Sequence, residues 1–169
     1  MHRTMRSLLA ISLTLVAVLA TGQFFQVSAK QAKILEFDTM VGVSQAFTGA
    51  QNPIRGVNGG GLPWDIGAAR GELTAGGHLE VDVRGLVFAA GPNIGKNTVA
   101  SFRAIVSCLR DDGSLTNITT DTFPATQGPA SEGGGNAHIE TDLTLPQLCL
   151  APIIFVTSPG GAWFAVTGG

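Results

Sequence analysis

The stretch "HLEVDVRGLVF" (His78–Phe88) alternates between polar and apolar side chains over its first seven residues. A period of two is typical of an antiparallel strand with one face buried and the other in solvent. The stretch therefore predicts a half-buried strand. The two sides of that strand would carry His78, Glu80, Asp82 and Arg84 on the polar face and Leu79, Val81 and Val83 on the apolar face.

Other segments of the chain also have strand character, and short turn sequences rich in glycine separate several of them. No stretch after residue 29 keeps a helical period. We therefore expect an all-β fold, a single antiparallel β-sandwich or partly closed barrel of about seven to nine strands. The further strand segments are "ILEFDTMVGV" (34–43), "VASFRAIVSCL" (99–109, predicted to be central), "LTNITTDTF" (115–123), "AHIETDLTL" (137–145), "PIIFVTS" (152–158) and "AWFAVTG" (162–168).

The first 29 residues have the features of a secretory signal peptide with a signal helix. Arg3 and Arg6 precede an apolar run over residues 8–20, and Val27-Ser28-Ala29 offers small residues at a cleavage site before Lys30. The apolar run is too short for a comfortable bilayer span, and no later stretch approaches one. The sequence thus predicts a secreted or cell-surface protein with one domain, residues 30–169, and no membrane span in that part.

Charge and cysteine content restrict the function further. Residues 30–169 keep 8 of the 10 Lys and Arg and all 12 Asp and Glu, a net charge of −4, with no basic cluster. Nucleic acid is therefore not an expected partner. The only two cysteines, Cys108 and Cys149, most simply form one disulfide in an oxidising compartment.

The glycine-rich stretch "IRGVNGGGLPWDI" (54–66) contains the best candidate for a ligand contact. Trp64 could stack against a sugar ring while Arg55, Asn58 and Asp65 bind its hydroxyls. The alternative is that Trp64 plugs one end of the sandwich, and the glycines let backbone pass close to it.

A second candidate is the repeated pattern His-x-Glu-x-Asp, which places an imidazole and two carboxylates on one face of each of two strands. If these strands were neighbours, the groups would converge as a divalent metal requires, and without a cation they would repel one another. If the strands were apart, both patterns would be ordinary solvated faces. The residues are His78, Glu80 and Asp82 in the first strand and His138, Glu140 and Asp142 in the second.

Four longer stretches of the chain resemble small exported bacterial proteins of uncharacterised function, a likeness that implies export and a compact domain. In addition, "GELT" followed by "GHLEVDVRGL" is similar to CHRD-type extracellular β domains, although the paired-proline signature of those domains is absent. The four stretches are "FDTMVGVSQAFTGAQNPIRGVNGGGLPW" (37–64), "GELTAGGHLEVDVRGLVF" (71–88), "VASFRAIVSCL" (99–109) and "LAPIIFVTSPGGAWFAVTGG" (150–169).

The sequence contains neither a Gly-x-Ser-x-Gly elbow nor a His-Glu-x-x-His motif, so we predict no catalytic residues and no cofactor. The expected role is non-enzymatic binding of an extracellular ligand, a glycan or a protein, or structural work outside the cell. The alternative is a metal-binding protein or metal-dependent hydrolase that uses the two His-x-Glu-x-Asp strands.

Overall fold

The computed structural model describes residues 32–167, so the predicted signal peptide and its helix lie outside the described part. Residues 32–167 form fourteen β-strands and two short 3₁₀ turns, Gln45–Phe47 and Ala130–Glu132. The strands are β1 Lys33–Phe37, β2 Met40–Gly42, β3 Trp64–Asp65, β4 Ala68–Thr74, β5 His78–Arg84, β6 Val87–Phe88, β7 Lys96–Asn97, β8 Ser101–Leu109, β9 Leu115–Thr119, β10 Phe123–Pro124, β11 Gly128–Pro129, β12 Ala137–Asp142, β13 Leu150–Thr157 and β14 Trp163–Thr167.

Two antiparallel sheets contain most of these strands, which confirms the predicted sandwich. The first sheet has four strands in the order β1-β4-β5-β12. The second has the order β10-β8-β13-β14-β2, and β9 lies beside β10 along the same edge of β8. Eight strands have five or more residues, in agreement with the predicted seven to nine, and the six shorter ones are brief pairings at edges and between loops.

The core lies between the two sheets and follows from the alternation in each strand. Leu79, Val81 and Ile139 point inward from the four-stranded sheet and are fully buried. Val106 and Ile154, side by side on β8 and β13, are fully buried on the opposing sheet. Burying such side chains stabilises the fold by roughly 1.5–3 kcal/mol each before entropy is counted.

The segment "ILEFDTMVGV" is not one strand, as the sequence suggested, but two. The chain leaves β1 at Phe37, passes Asp38 and Thr39, and enters β2, which belongs to the other sheet. The turn between them is therefore one place where the chain crosses from one layer of the sandwich to the other.

The disulfide is confirmed. The Sγ atoms of Cys108 and Cys149 are 2.01 Å apart, and the bond closes a loop with a sequence separation of 41 residues. Cys108 is fully buried near the end of β8, and Cys149 immediately precedes β13, so the bond joins two neighbouring strands of one sheet. Within residues 32–167 no helix has the length and apolar character that crossing a membrane requires.

Candidate functional site

The two His-x-Glu-x-Asp strands are direct neighbours. β5 and β12 pair antiparallel, with His138 opposite Asp82, Glu140 opposite Glu80, and Asp142 opposite His78. All six side chains lie on the outer face, because the residues between them, such as Val81 and Ile139, are buried in the core. The sequence had left open whether the two strands are neighbours or lie apart, and the structure shows that they are neighbours.

The same outer face continues across the other two strands of the sheet. A row of four glutamates crosses it, one from each strand, and Arg70 stands opposite Asp82 in the next row. We call this surface the charged face and define it by Lys33, Glu36, Arg70, Glu72, His78, Glu80, Asp82, His138, Glu140 and Asp142. It holds six of the twelve acidic residues in the chain.

The contribution of β1 and β4 to the charged face was not predicted from the sequence. These two strands add Glu36 and Glu72 to the row of glutamates, and Lys33 forms ion pairs with both, at 3.0 and 2.6 Å. An alternating pattern in "ARGELT" was the available signal, since Arg70 and Glu72 flank Gly71. That pattern does not indicate which strands lie beside β4 in the sheet.

Asp82 is the most fully engaged carboxylate of the charged face. Its Oδ1 lies 2.9 Å from Nδ1 of His138. Its Oδ2 accepts a hydrogen bond from Arg70 Nε at 3.0 Å and forms an ion pair with Arg70 Nη2 at 2.9 Å. The hydrogen bond with His138, followed by that with Arg70, lowers the pKa of the Asp82 carboxyl. The hydrogen bond with Asp82, followed by that with Glu140, raises the pKa of His138, because both carboxylates stabilise the protonated imidazole.

The expected repulsion between carboxylates is largely avoided, because opposite charges alternate along the two strands. Glu140 lies between both histidines, 3.4 Å from Nε2 of His138 and 3.8 Å from Nε2 of His78. Asp142 in turn lies 3.0 Å from Nδ1 of His78. Each imidazole, when protonated, offsets part of the negative charge of Asp82, Glu140 and Asp142, but Glu80 is left without a cationic partner among residues 32–167.

Glu80 differs from its neighbours on the charged face. Within residues 32–167 its carboxylate makes no hydrogen bond or ion pair, although Glu72 and Glu140 stand on either side of it. Ligand atoms of Glu80, Asp82 and His138 all lie within 4.8 Å of one another. Two carboxylate oxygens and one imidazole nitrogen form a donor set that suits zinc and similar divalent ions, with further positions left for water.

An open groove of about 620 Å³ borders this trio on the β1 and β4 side. Gly71 lies at its floor, where an added Cβ would collide with the main-chain oxygen of Glu80 and the ring of Phe37. The groove is lined mainly by charged side chains of the charged face. It provides room for water or a small ligand next to Glu80 and Asp82.

The predicted sugar contact at Trp64 is wrong. Trp64 is only 4% exposed, and its ring packs against Phe164 and Phe88, with centroids 3.9 and 4.1 Å away. Phe102 meets it edge-on. No face of the indole is available to a sugar, and Trp64 instead closes part of the core, as the alternative reading proposed.

The other residues predicted beside Trp64 do not form one surface with it. Arg55 lies on the outer side of the six-stranded sheet, where its Nη1 donates to the main-chain oxygen of Ser107 at 2.9 Å. Asn58 accepts a hydrogen bond from the Trp163 amide through its main-chain oxygen, and the Asp65 side chain accepts one from the Ile66 amide. The contacts of Arg55 and Asn58 attach the loop over residues 44–63 to β8 and β14, whereas that of Asp65 is local to the end of β3.

The chain matches no protein-family model, no curated protein and no solved structure. The resemblances to small exported bacterial proteins and to CHRD-type domains therefore stay predictions.

Proposed function

We propose that this protein is an exported, non-enzymatic binding protein that holds a divalent metal ion on its charged face, with Glu80, Asp82 and His138 as ligands. One observation carries the proposal: an imidazole and two carboxylates from two paired strands have ligand atoms within 4.8 Å of one another. Glu80, which has no other partner among residues 32–167, supplies the carboxylate that an ion would neutralise.

The donor set favours a zinc-like ion over calcium or magnesium. Calcium and magnesium prefer oxygen ligands throughout, whereas an imidazole nitrogen suits zinc and its neighbours in the transition series. The ion would bind the neutral form of His138, so it would displace the proton that Asp82 and Glu140 stabilise there. Binding thus replaces the hydrogen bond between His138 and Asp82 with two bonds to the metal.

A binding role is favoured over catalysis because the site is open to solvent. Of the proposed ligands, the side chain of His138 is 51% exposed and that of Asp82 is 25% exposed, and Glu140 beside them is 56% exposed. Metal-dependent hydrolysis relies on a shaped site that excludes bulk water and fixes the substrate. The exposed sheet face offers a platform for an ion but no such enclosure.

Export is supported by two features of different kinds. The sequence of residues 1–29 has the organisation of a signal peptide. The disulfide between Cys108 and Cys149 is typical of proteins in oxidising compartments.

Isothermal titration calorimetry of the purified protein with zinc at neutral pH tests the proposal. We expect one binding site, and we expect Glu80→Gln to weaken the affinity by roughly tenfold or more, as the loss of a metal-site carboxylate should. Glu80→Gln removes no contact seen among residues 32–167, so its folding should be unchanged. Asp142→Asn, a change on the same face but outside the trio, should bind zinc like the original protein.

Two results would refute the metal site. One is the absence of both binding heat and any shift in melting temperature when zinc is added. The other is an unchanged affinity in the Glu80→Gln protein, which would place the bound ion elsewhere.

A further inference from the structure

Strand β9, Leu115–Thr119, is an edge strand with unused hydrogen-bonding groups. Among residues 32–167 it pairs only with β8. The main-chain bonds from Thr120 to Ala104 and from Arg110 to Ser114 fix which residues face β8. By the alternation of an antiparallel ladder, Thr116 and Ile118 bond to β8, and the amides and carbonyls of Leu115, Asn117 and Thr119 point away from it.

The other edge strands of the two large sheets carry features that discourage pairing with another chain. β10, on the same side of β8 as β9, has only two residues, one of them Pro124. β1 contains Lys33 and Glu36 and has a register irregularity, and β12 contains three ionisable side chains. β2 is only three residues long. β9, with the sequence Leu-Thr-Asn-Ile-Thr, has five residues and no charge, proline or bulge. Natural edges usually have at least one of these protections, so β9 is the exception in this fold.

An exposed apolar row begins at the same strand. Leu115 stands opposite Leu109, which stands opposite Leu150, so three leucines lie side by side across β9, β8 and β13. Leu115 is 46% exposed and Leu150 is 43% exposed. A row of this kind would be extended by the side chains of a further strand next to β9.

We infer that β9 is a self-association edge, at which β9 of a second copy of this chain pairs antiparallel to it about a twofold axis through Asn117. In that register Asn117 faces its own counterpart, and Leu115 faces Thr119 of the other copy in both directions. Each facing pair exchanges two main-chain hydrogen bonds, which uses every outward group of the strand. The six-stranded sheets of the two copies would then form one continuous sheet.

A second copy is favoured over an unrelated extended peptide because β9 complements itself. The outward residues Leu115, Asn117 and Thr119 are spaced evenly about Asn117, so the same register satisfies both strands. No charges of like sign face each other within the strand, and the threonine methyl continues the row of leucines. Isologous contacts of this kind are the commonest way in which soluble chains form dimers.

The proposed dimer can be tested by placing a charge at Asn117, because the twofold axis brings the two copies of this side chain opposite each other. Sedimentation velocity of the purified protein should show a concentration-dependent dimer. Asn117→Lys and Asn117→Glu should each raise the dissociation constant by roughly twofold to fivefold, since directly opposed like charges cost up to about 1 kcal/mol. An equimolar mixture of the two variants should recover the dimer, because lysine then faces glutamate.

Asn117→Ser is the matched control. Asn117 donates from Nδ2 to the main-chain oxygen of Arg55 at 3.1 Å, and serine loses that bond without adding charge. The serine variant should therefore dimerise like the original protein. A protein that stays monomeric at all concentrations would overturn the proposal. So would a dimer that Asn117→Lys leaves unchanged, a result that would place the interface elsewhere.

Discussion

His138 shows how neighbours on the charged face change the properties of one side chain. Its Nδ1 is 2.9 Å from Asp82, and both of these groups are more stable in their charged forms when folded than when unfolded. The raised pKa of His138 means that its contribution is complete below its unfolded pKa and is lost as pH rises through the folded pKa. The lowered pKa of Asp82 means that its contribution is present above its unfolded pKa and is lost as pH falls through the folded pKa.

The two effects together predict a window of mildly acidic pH, from about pH 4 to about pH 6.5, in which the pair stabilises the fold most. A double-mutant cycle of Asp82→Asn and His138→Gln should give a coupling free energy that is larger near pH 5.5 than near pH 8.5. Thermal unfolding of the four proteins at both pH values measures it. A coupling that is equal at the two values, or larger at the alkaline one, would contradict this account.

At the scale of strands and loops, the sequence predicted which face of a strand is exposed, but it did not predict which strands pair with each other. The alternation in "HLEVDVR" and "AHIETD" identified the outer face of β5 and β12, because each strand carries that information in itself. Their pairing depends on the path of residues 85–136, which include β6 to β11 and separate the two strands, and no local pattern encodes that path. The charged face was therefore predicted only as one of two possibilities.

The prediction of an exposed Trp64 failed for a different reason, because the residues next to it in the sequence were misleading. Its glycine-rich surroundings suggested an exposed loop, but its ring packs against Phe88 and Phe164, which come from distant parts of the chain. Burial of a large side chain depends on partners that a local window does not contain. Glycine-rich turns between strands, by contrast, were expected from the sequence, because the residues that form them are local. Gly76-Gly77, Asp112-Gly113 and Pro159-Gly160 lie in the turns from β4 to β5, from β8 to β9 and from β13 to β14.

The loop over residues 44–63 is attached to the outer side of the six-stranded sheet through Arg55, which has a positive φ of 48°. Arg55→Asn keeps a residue that tolerates this backbone conformation but cannot reach the carbonyl of Ser107. We expect the free energy of unfolding to fall by about 1–2 kcal/mol, below the full effect of a hydrogen bond from a charged donor, because Arg55 is only partly buried. Urea unfolding measures the loss, and amide hydrogen exchange should show faster exchange at Val57.

An Arg55→Asn protein with unchanged stability would show that the loop is held by its apolar contacts alone. Val57, which is 6% exposed, is the main such contact in this turn. Arg110→Asn is a suitable control, because Arg110 is an exposed arginine outside the loop.

At the scale of the whole molecule, the disulfide is the only covalent link between distant positions of the described chain. Replacing both Cys108 and Cys149 by alanine should lower the free energy of unfolding by about 4 kcal/mol, the loop-closure entropy of a 41-residue separation. Urea unfolding of the double variant and of the original protein under non-reducing conditions gives the difference. A loss of less than about 1 kcal/mol would mean that the unfolded chain stays compact without the bond.

The order of strands has a consequence for how the nascent chain matures. β2 is formed from residues 40–42, yet its partner in the larger sheet is β14, which ends at Thr167. Because ribosomes deliver the amino end first, β2 must wait until the chain has been synthesised as far as residue 167 before its partner is complete. If the chain is exported as proposed, it would lack a complete second sheet until then, and a translocase could still move it as an extended polypeptide.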